Sequence, residues 1–149
     1  MEWQAIGTVV SPVHEAVDAG WGRVVSEIHL RPELADGLRG LADFSHALVL
    51  TWLHQAAWAP AEHLVRRPQG RADLPEAGIF GQRARHRPNP IGVTAVEIVA
   101  VAGNVLTVRG LDAIDGTPVL DVKPYYPAYD RVSEATVPEW VDRLMEGYF

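Results

Sequence analysis

The stretch VTAVEIVAVAGNVLTVRGL, residues 93–111, decides the fold. On either side of Gly103-Asn104 lie two runs rich in β-branched residues, Val93 to Ala102 and Val105 to Leu111, and such residues suit the pleated surface of a strand. A Gly-Asn pair between two such runs tolerates the positive φ of a tight hairpin turn. The two runs are therefore predicted to pair as an antiparallel hairpin. Working outward, Trp3 to Val10, Arg23 to Leu30 and Ala47 to His54 are short β-prone runs bounded by glycine, proline or charge, and Val119 to Val122 is another, stopped by Pro124. Helical signals are sparse. Pro32-Glu33 opens one or two turns ending near Gly37, and Pro138 to Met145, with Val137 before it, reads as a short terminal helix.

Many short strands with few helices between them predict a mostly β chain, a small closed or nearly closed antiparallel β-barrel with a few short helices. Parallel crossovers would need helices of about a dozen residues between strands. No GxGxxG follows a predicted strand and no GxxxxGK[ST] loop occurs, which argues against the usual dinucleotide and nucleoside-triphosphate sites. With 149 residues, 48% hydrophobic and 21% charged, the chain 1–149 is expected to form a single domain with its own core. The absence of cysteine excludes disulfides, thiolate nucleophiles and cysteine-ligated metals. His14, His29, His46, His54, His63 and His86 are scattered without an HExxH or similar spacing, so no metal site is expected. The longest apolar stretch, Ala47 to Ala59, is broken by Thr51, His54 and Gln55 and falls short of the ~20 residues of a membrane span. It is expected to be buried interior, and no membrane association is predicted. The opening MEWQAIGTVV lacks a basic region followed by an apolar core, so no secretory signal is read and a cytoplasmic location is expected.

A formal net charge of −6 argues against binding nucleic acid through a diffuse positive field. Any such partner needs a local patch. One is offered by GIFGQRARHRPNPIG, residues 78–92, where Arg83, Arg85, His86 and Arg87 precede Pro88-Asn89-Pro90. The prolines fix φ and extend the residues before them, presenting the arginines on a stiff loop suited to an anion, or simply to pairing with surface carboxylates. Over residues 63–87, Arg66, Arg67, Arg71, Arg83, Arg85 and Arg87 face only Asp73 and Glu76, so the rest of the chain carries all of the negative excess. A second cluster, LDAIDGTPVLDVKPYY at 111–126, places Asp112, Asp115 and Asp121 around Gly116 and Pro118. It could grip ribose hydroxyls or a cation, or be only a turn; the spacing does not fit an EF-hand calcium loop. Third, His54-Gln55 ends the most apolar strand, at a pocket mouth or in a purely structural role.

Together with Ile6-Gly7 and Ser11-Pro12, the strings LRGLADFSHALVLTWLHQ (38–55), GIFGQRARHRPNPIGVT (78–94) and LDAIDGTPVLDVKPYYPAYD (111–130) resemble the TsaA-like family of the TrmO type. These are β-barrel S-adenosylmethionine-dependent methyltransferases associated with tRNA. The resemblance runs in order over about residues 6–130, leaving 131–149 as a short extension with a helix. It implies a homodimeric antiparallel barrel that binds S-adenosyl-L-methionine through His54, Gln55, Arg83, Asp112, Ala113, Ile114 and Asp115. Trp21, Gly22, Arg23 and Val93 are expected to line the same pocket. For the acceptor, the expected substrate-binding residues are Arg85, Arg87, Asn89, Lys123 and Tyr125; no residue is assigned as catalytic.

The resemblance further implies N-methylation of threonylcarbamoyladenosine beside the anticodon in tRNA. The alternatives are a small-molecule acceptor for the same cofactor chemistry, or a module that binds the cofactor without catalysis. Gln82 stands where the family more often has Thr, and Arg85 where it often has Pro, positions expected to bear on acceptor choice. Several members acting on tRNA carry a further C-terminal domain, whereas only 131–149 follow the match here. RNA docking is then expected from the barrel or its dimer.

Overall fold

The structure, a computed structural model, describes residues 2–149. Eight strands form in chain order: β1 (Gly7–Val10), β2 (Val25–Leu30), β3 (His46–Trp52), β4 (Val65–Arg66), β5 (Ala77–Gly78), β6 (Ile91–Ala102), β7 (Val105–Arg109) and β8 (Pro118–Pro124). Six of them close an antiparallel barrel in the order β1-β2-β7-β6-β3-β8, as the sequence predicts. The hairpin of β6 and β7 turns on two residues, with Ala102 opposite Val105. Gly103 takes the positive φ, 60°. Asn104 fastens this tip to β2, since its side-chain amide donates to the Leu30 carbonyl at 2.6 Å and its own carbonyl accepts from the Leu30 N–H.

Alternation places the core. In β2 every second residue is buried, and Ser26, Ile28 and Leu30 point inward. Val9, Ile28, Ala47, Val49, Val96, Leu106, Val108 and Val119 meet inside, so the barrel is filled by side chains. The seam between β1 and β8 closes it through Gly7 opposite Val119 and Thr8 opposite Pro118. Main-chain bonds from Ile6 to Val119 and from Val9 to Thr117 flank that seam.

Some boundaries differ from those expected. The first strand starts at Gly7, not Trp3: its partner β2 ends at Leu30 opposite Gly7, and beyond it only Ile6 still bonds, to Arg31 and Val119. β3 begins at His46 and ends at Trp52, so only the first half of the Ala47 to Ala59 stretch is interior; Gln55 and Ala57 are exposed on a loop. The ribbon of β4 and β5 was not anticipated. Helices are short: α1 (Pro60–His63), α2 (Pro127–Asp130) and α3 (Glu139–Met145), besides 3-10 turns that include Trp21–Arg23 and Pro32–Leu38. Among the described residues no helix is long and apolar enough to cross a membrane.

Strand direction gives the barrel two distinct rims. The ends of β1, β3 and β7 and the starts of β2, β6 and β8 lie on one; the opposite rim carries the reverse set. Closure also demands that β1 approach β2 very closely, since a Cβ on Gly7 would fall 2.5 Å from the His29 carbonyl oxygen. Backbone cannot rotate away. Gly7→Ala is therefore expected to lower stability by about 1–3 kcal/mol, whereas Gly37→Ala, with nothing within 4 Å of the added carbon, should be close to neutral. Chemical denaturation of the two variants checks the contrast.

Candidate functional site

β6 is twelve residues long, and its first half runs past the end of β7. The connector Gly110–Thr117 covers the edge so exposed. There the Thr94 hydroxyl donates to Asp112 Oδ1, and Asp112 Oδ2 accepts a 2.8 Å bond from the Tyr148 hydroxyl. Arg83 reaches the same strand, donating from Nη2 to the Val93 carbonyl at 2.6 Å. Trp21, only 2% exposed, packs its ring beneath and donates its indole N–H to the Val17 carbonyl. The main chain of Gly147–Tyr148 lies against this turn, with Gly20 N–H bonded to Gly147 O at 2.9 Å and Trp21 N–H to Tyr148 O at 2.8 Å. Burial pushes the Tyr148 phenol well above the usual range, the Asp112 carboxylate and its hydrogen bond add to the rise, Asp18 contributes further, and the Arg83 charge opposes it. Trp21, Gly22, Arg83, Val93 and Asp112 thus converge on one rim.

Other predicted residues share that rim. His54 and Gln55 follow β3 on an exposed turn, which the bond from Leu53 N–H to Pro90 O ties to the proline loop. Within that loop Arg87 is a brace, donating to the carbonyls of Gln82 at 2.7 Å and Ala84 at 3.3 Å. Asn89 and Arg85 are exposed. The His86 ring stacks on His63 at 4.7 Å, and His63 on Trp58 at 6.1 Å. Burial, then the charge of Arg85, holds His86 below its ordinary pKa. Since His86 Nδ1 accepts from the Ala57 N–H, the neutral ring carries its proton on Nε2. Arg85 Nε, 3.1 Å from Nε2, is then a bare contact, leaving the guanidinium free for a partner.

Other residues singled out in the sequence turn elsewhere. Gln82 does not face an acceptor: it is buried, and its amide clamps the β4–β5 ribbon through the carbonyls of Arg66 and Ala77. Asp115 points away from Asp112, accepting from the Ser11 N–H at 3.0 Å with His14 beside it at 3.6 Å. Ala113 and Ile114 turn their side chains into the interior. Lys123 and Tyr125 ride β8 to the opposite rim, where Lys123 pairs with Asp121 at 2.7 Å and Tyr125 lines a groove of about 680 Å³ with Phe44, His46 and Tyr126. In the basic segment, Arg67 donates to the Leu74 carbonyl, and Arg71 grips Asp73 through two bonds while reaching the Arg143 carbonyl. Among the described residues no three His, Asp or Glu side chains gather in a way that could hold a metal ion.

Residues 18–131 match the family described as the tRNA-methyltransferase O N-terminal domain. The chain belongs to that family. A protein of Methanothermobacter thermautotrophicus named a probable S-adenosyl-L-methionine-binding protein is 46% identical over 131 residues, covering 85% of this chain and 91% of its own length. The tRNA (adenine(37)-N6)-methyltransferase of Escherichia coli is 38% identical, over 91% of this chain but only 62% of the relative. A crystal structure of TrmO from Pseudomonas aeruginosa superposes with a TM-score of 0.76 at 29% identity, covering 94% of this chain and 61% of the other. This member therefore spans nearly all of the archaeal protein and about three fifths of the two bacterial ones.

The donor set suits the sulfonium cofactor named for the archaeal relative. Asp112 supplies a carboxylate, Arg83 keeps guanidinium donors beyond its one main-chain bond, and Trp21 and Val93 supply apolar wall. Sequence reasoning missed Thr94, which orients Asp112, and Tyr148, which no motif or spacing marks. Because the folded state raises the Tyr148 pKa, its docking contributes stability that is complete below the ordinary phenol pKa of about 10 and is lost as pH rises toward the folded value. In an ultraviolet titration of the four tyrosines, the last ionisation step is expected to be the one that Tyr148→Phe removes.

Proposed function

We propose that this chain is an S-adenosyl-L-methionine-dependent N-methyltransferase whose acceptor is threonylcarbamoyladenosine beside the anticodon of tRNA. The observation that carries the reading is the convergence of Arg83, Asp112 and Gly22 on one rim of a barrel of the TrmO family. Asp112 accepts from ribose hydroxyls or the amino group, Arg83 meets the methionine carboxylate, and Trp21 and Val93 flank the adenine. His54 and Gln55 close the mouth, Arg23 stands at its edge, and Ala113 and Ile114 offer main-chain groups. Asp115 holds the turn that aims Asp112.

The bound cofactor supplies an electrophilic methyl group. What remains for the chain is to hold the acceptor nitrogen in line with it and to keep water out, which asks little of a dedicated base. Arg85 and Asn89 are placed to seat the acceptor, with Arg87 keeping their loop in shape. β3, seven residues long, spans roughly 23 Å, so Lys123 and Tyr125 would serve only a substrate large enough to reach both rims. A tRNA is such a substrate. The same proposal includes a single folding unit, a cytoplasmic setting and a homodimer, for which the stacked Phe44–Tyr126 pair and exposed Tyr129 offer an apolar face. The net charge of −6 favours a second reading, a small-molecule acceptor.

Mass spectrometry of tRNA nucleosides from cells with and without the gene separates the two: loss of the methylated threonylcarbamoyl nucleoside supports tRNA, and its persistence supports the small molecule. For the cofactor, calorimetry should show binding that a chelator does not abolish. Arg83→Ala is expected to weaken that binding by one to two decades, as for loss of a charge-assisted contact of about 1.5–3 kcal/mol. Arg39→Ala, at a surface residue paired with Asp36, should leave it unchanged; equal losses would remove Arg83 from the pocket.

A further inference from the structure

Residues 147–149 lie outside the family match, which ends at 131, yet they pack onto the very groups read above as the cofactor pocket. We propose that Tyr148 is a resident occupant of that pocket, and that docking of Gly147–Phe149 and binding of S-adenosyl-L-methionine exclude one another. The inference rests on the cofactor reading of the site. The two share contacts. Asp112 has two carboxylate oxygens; Thr94 holds Oδ1, and the Tyr148 hydroxyl takes Oδ2, the one otherwise offered to a ligand donor. Gly22 has an open face, and Phe149 covers it: a Cβ on Gly22 would fall 2.5 Å from the Phe149 carbonyl carbon. A nucleoside resting on Gly22 and donating to Asp112 needs both places.

The segment is also held lightly enough to leave. Its attachments are two main-chain bonds to Gly20 and Trp21, the phenol bond to Asp112, and the contact of Phe149 with Gly22. Glu146, Gly147 and Phe149 are exposed, and no side chain of α3 is buried. So few contacts describe a docking equilibrium more than a piece of core. An equilibrium of this kind lowers the apparent cofactor affinity by the fraction of molecules in which the pocket is free. It also protects an empty pocket, since the Asp112 carboxylate and the apolar wall stay covered until the cofactor arrives.

The test uses the chain 1–149. Tyr148→Phe removes the hydroxyl and little else, and losing a hydrogen bond to a charged acceptor weakens docking by about 10- to 100-fold. Calorimetry is expected to show tighter S-adenosyl-L-methionine binding, by up to that factor. In parallel, hydrogen exchange of the peptide holding residues 146–149 is expected to speed up when the cofactor is added to the parent protein. Binding that is unchanged or weaker in Tyr148→Phe overturns the exclusion while leaving the cofactor reading intact. Slower exchange overturns it too, since the segment would then close over the cofactor. If folded parent and variant both bind no cofactor, the reading of the site fails and the exclusion with it.

Discussion

The offset of β6 against its neighbours governs where everything else in the molecule goes. Its residues Ile91 to Glu97 pair with β3, while Glu97 to Ala102 pair with β7, and Glu97 opposite Arg109 marks the crossover, reinforced by their 2.5 Å ion pair. A barrel cannot close without such a stagger. Here the stagger leaves the first half of β6 without a strand on one side. The connector Gly110–Thr117 fills the gap in irregular conformation, and irregular backbone is free to aim side chains where a ladder is not. Thr94, inward on β6 and buried, meets Asp112 for that reason. The meeting of Thr94 and Asp112 at this rim is a by-product of barrel geometry.

Charge has been spent in two ways along the arginine-rich segment. Arg67 and Arg87 donate to main-chain carbonyls, holding loops that carry no regular ladder of their own. Arg71 is committed to Asp73. Only part of the positive excess read from the sequence therefore faces outward, with Arg85 its clearest free representative. Charge counted along a chain overstates the field that a polyanion meets, because a guanidinium fork satisfies buried carbonyls as readily as phosphates.

The six barrel strands were legible because each falls in a short run rich in β-branched and other apolar residues bounded by glycine, proline or charge. The β4–β5 ribbon was not, since two-residue strands have no period to read. Trp3 to Ala5 precede β1 without joining it: a strand needs a partner, and after the Arg31 N–H bonds the Ile6 carbonyl, Pro32 turns the chain of β2 away. Among site residues in the motif strings, all but Lys123 and Tyr125 fall on one rim because the motifs sit at strand ends that antiparallel order gathers together. Asp112 and Asp115 were read as one cluster, but the turn between them sends their carboxylates to Tyr148 and Ser11 respectively. Lys123 and Tyr125 follow closely in sequence and are carried a barrel's length away by β8. Tyr148 had no signal at all: an isolated aromatic residue near a helix carries no spacing to interpret.

The seam between β1 and β8 bears on biosynthesis. The bond from the Ser11 N–H to Asp115 joins residues 104 apart in sequence, so β1 leaves the ribosome long before the strand that closes it. Until then β1 can pair with β2 on one side only, and its other edge is open to other chains. The connector bearing Asp112 is fastened to the N-terminal strand through Gly116 and Asp115. The rim that bears Asp112 thus depends on contacts between the two ends of the barrel sequence, and loop closures that long are slow to form.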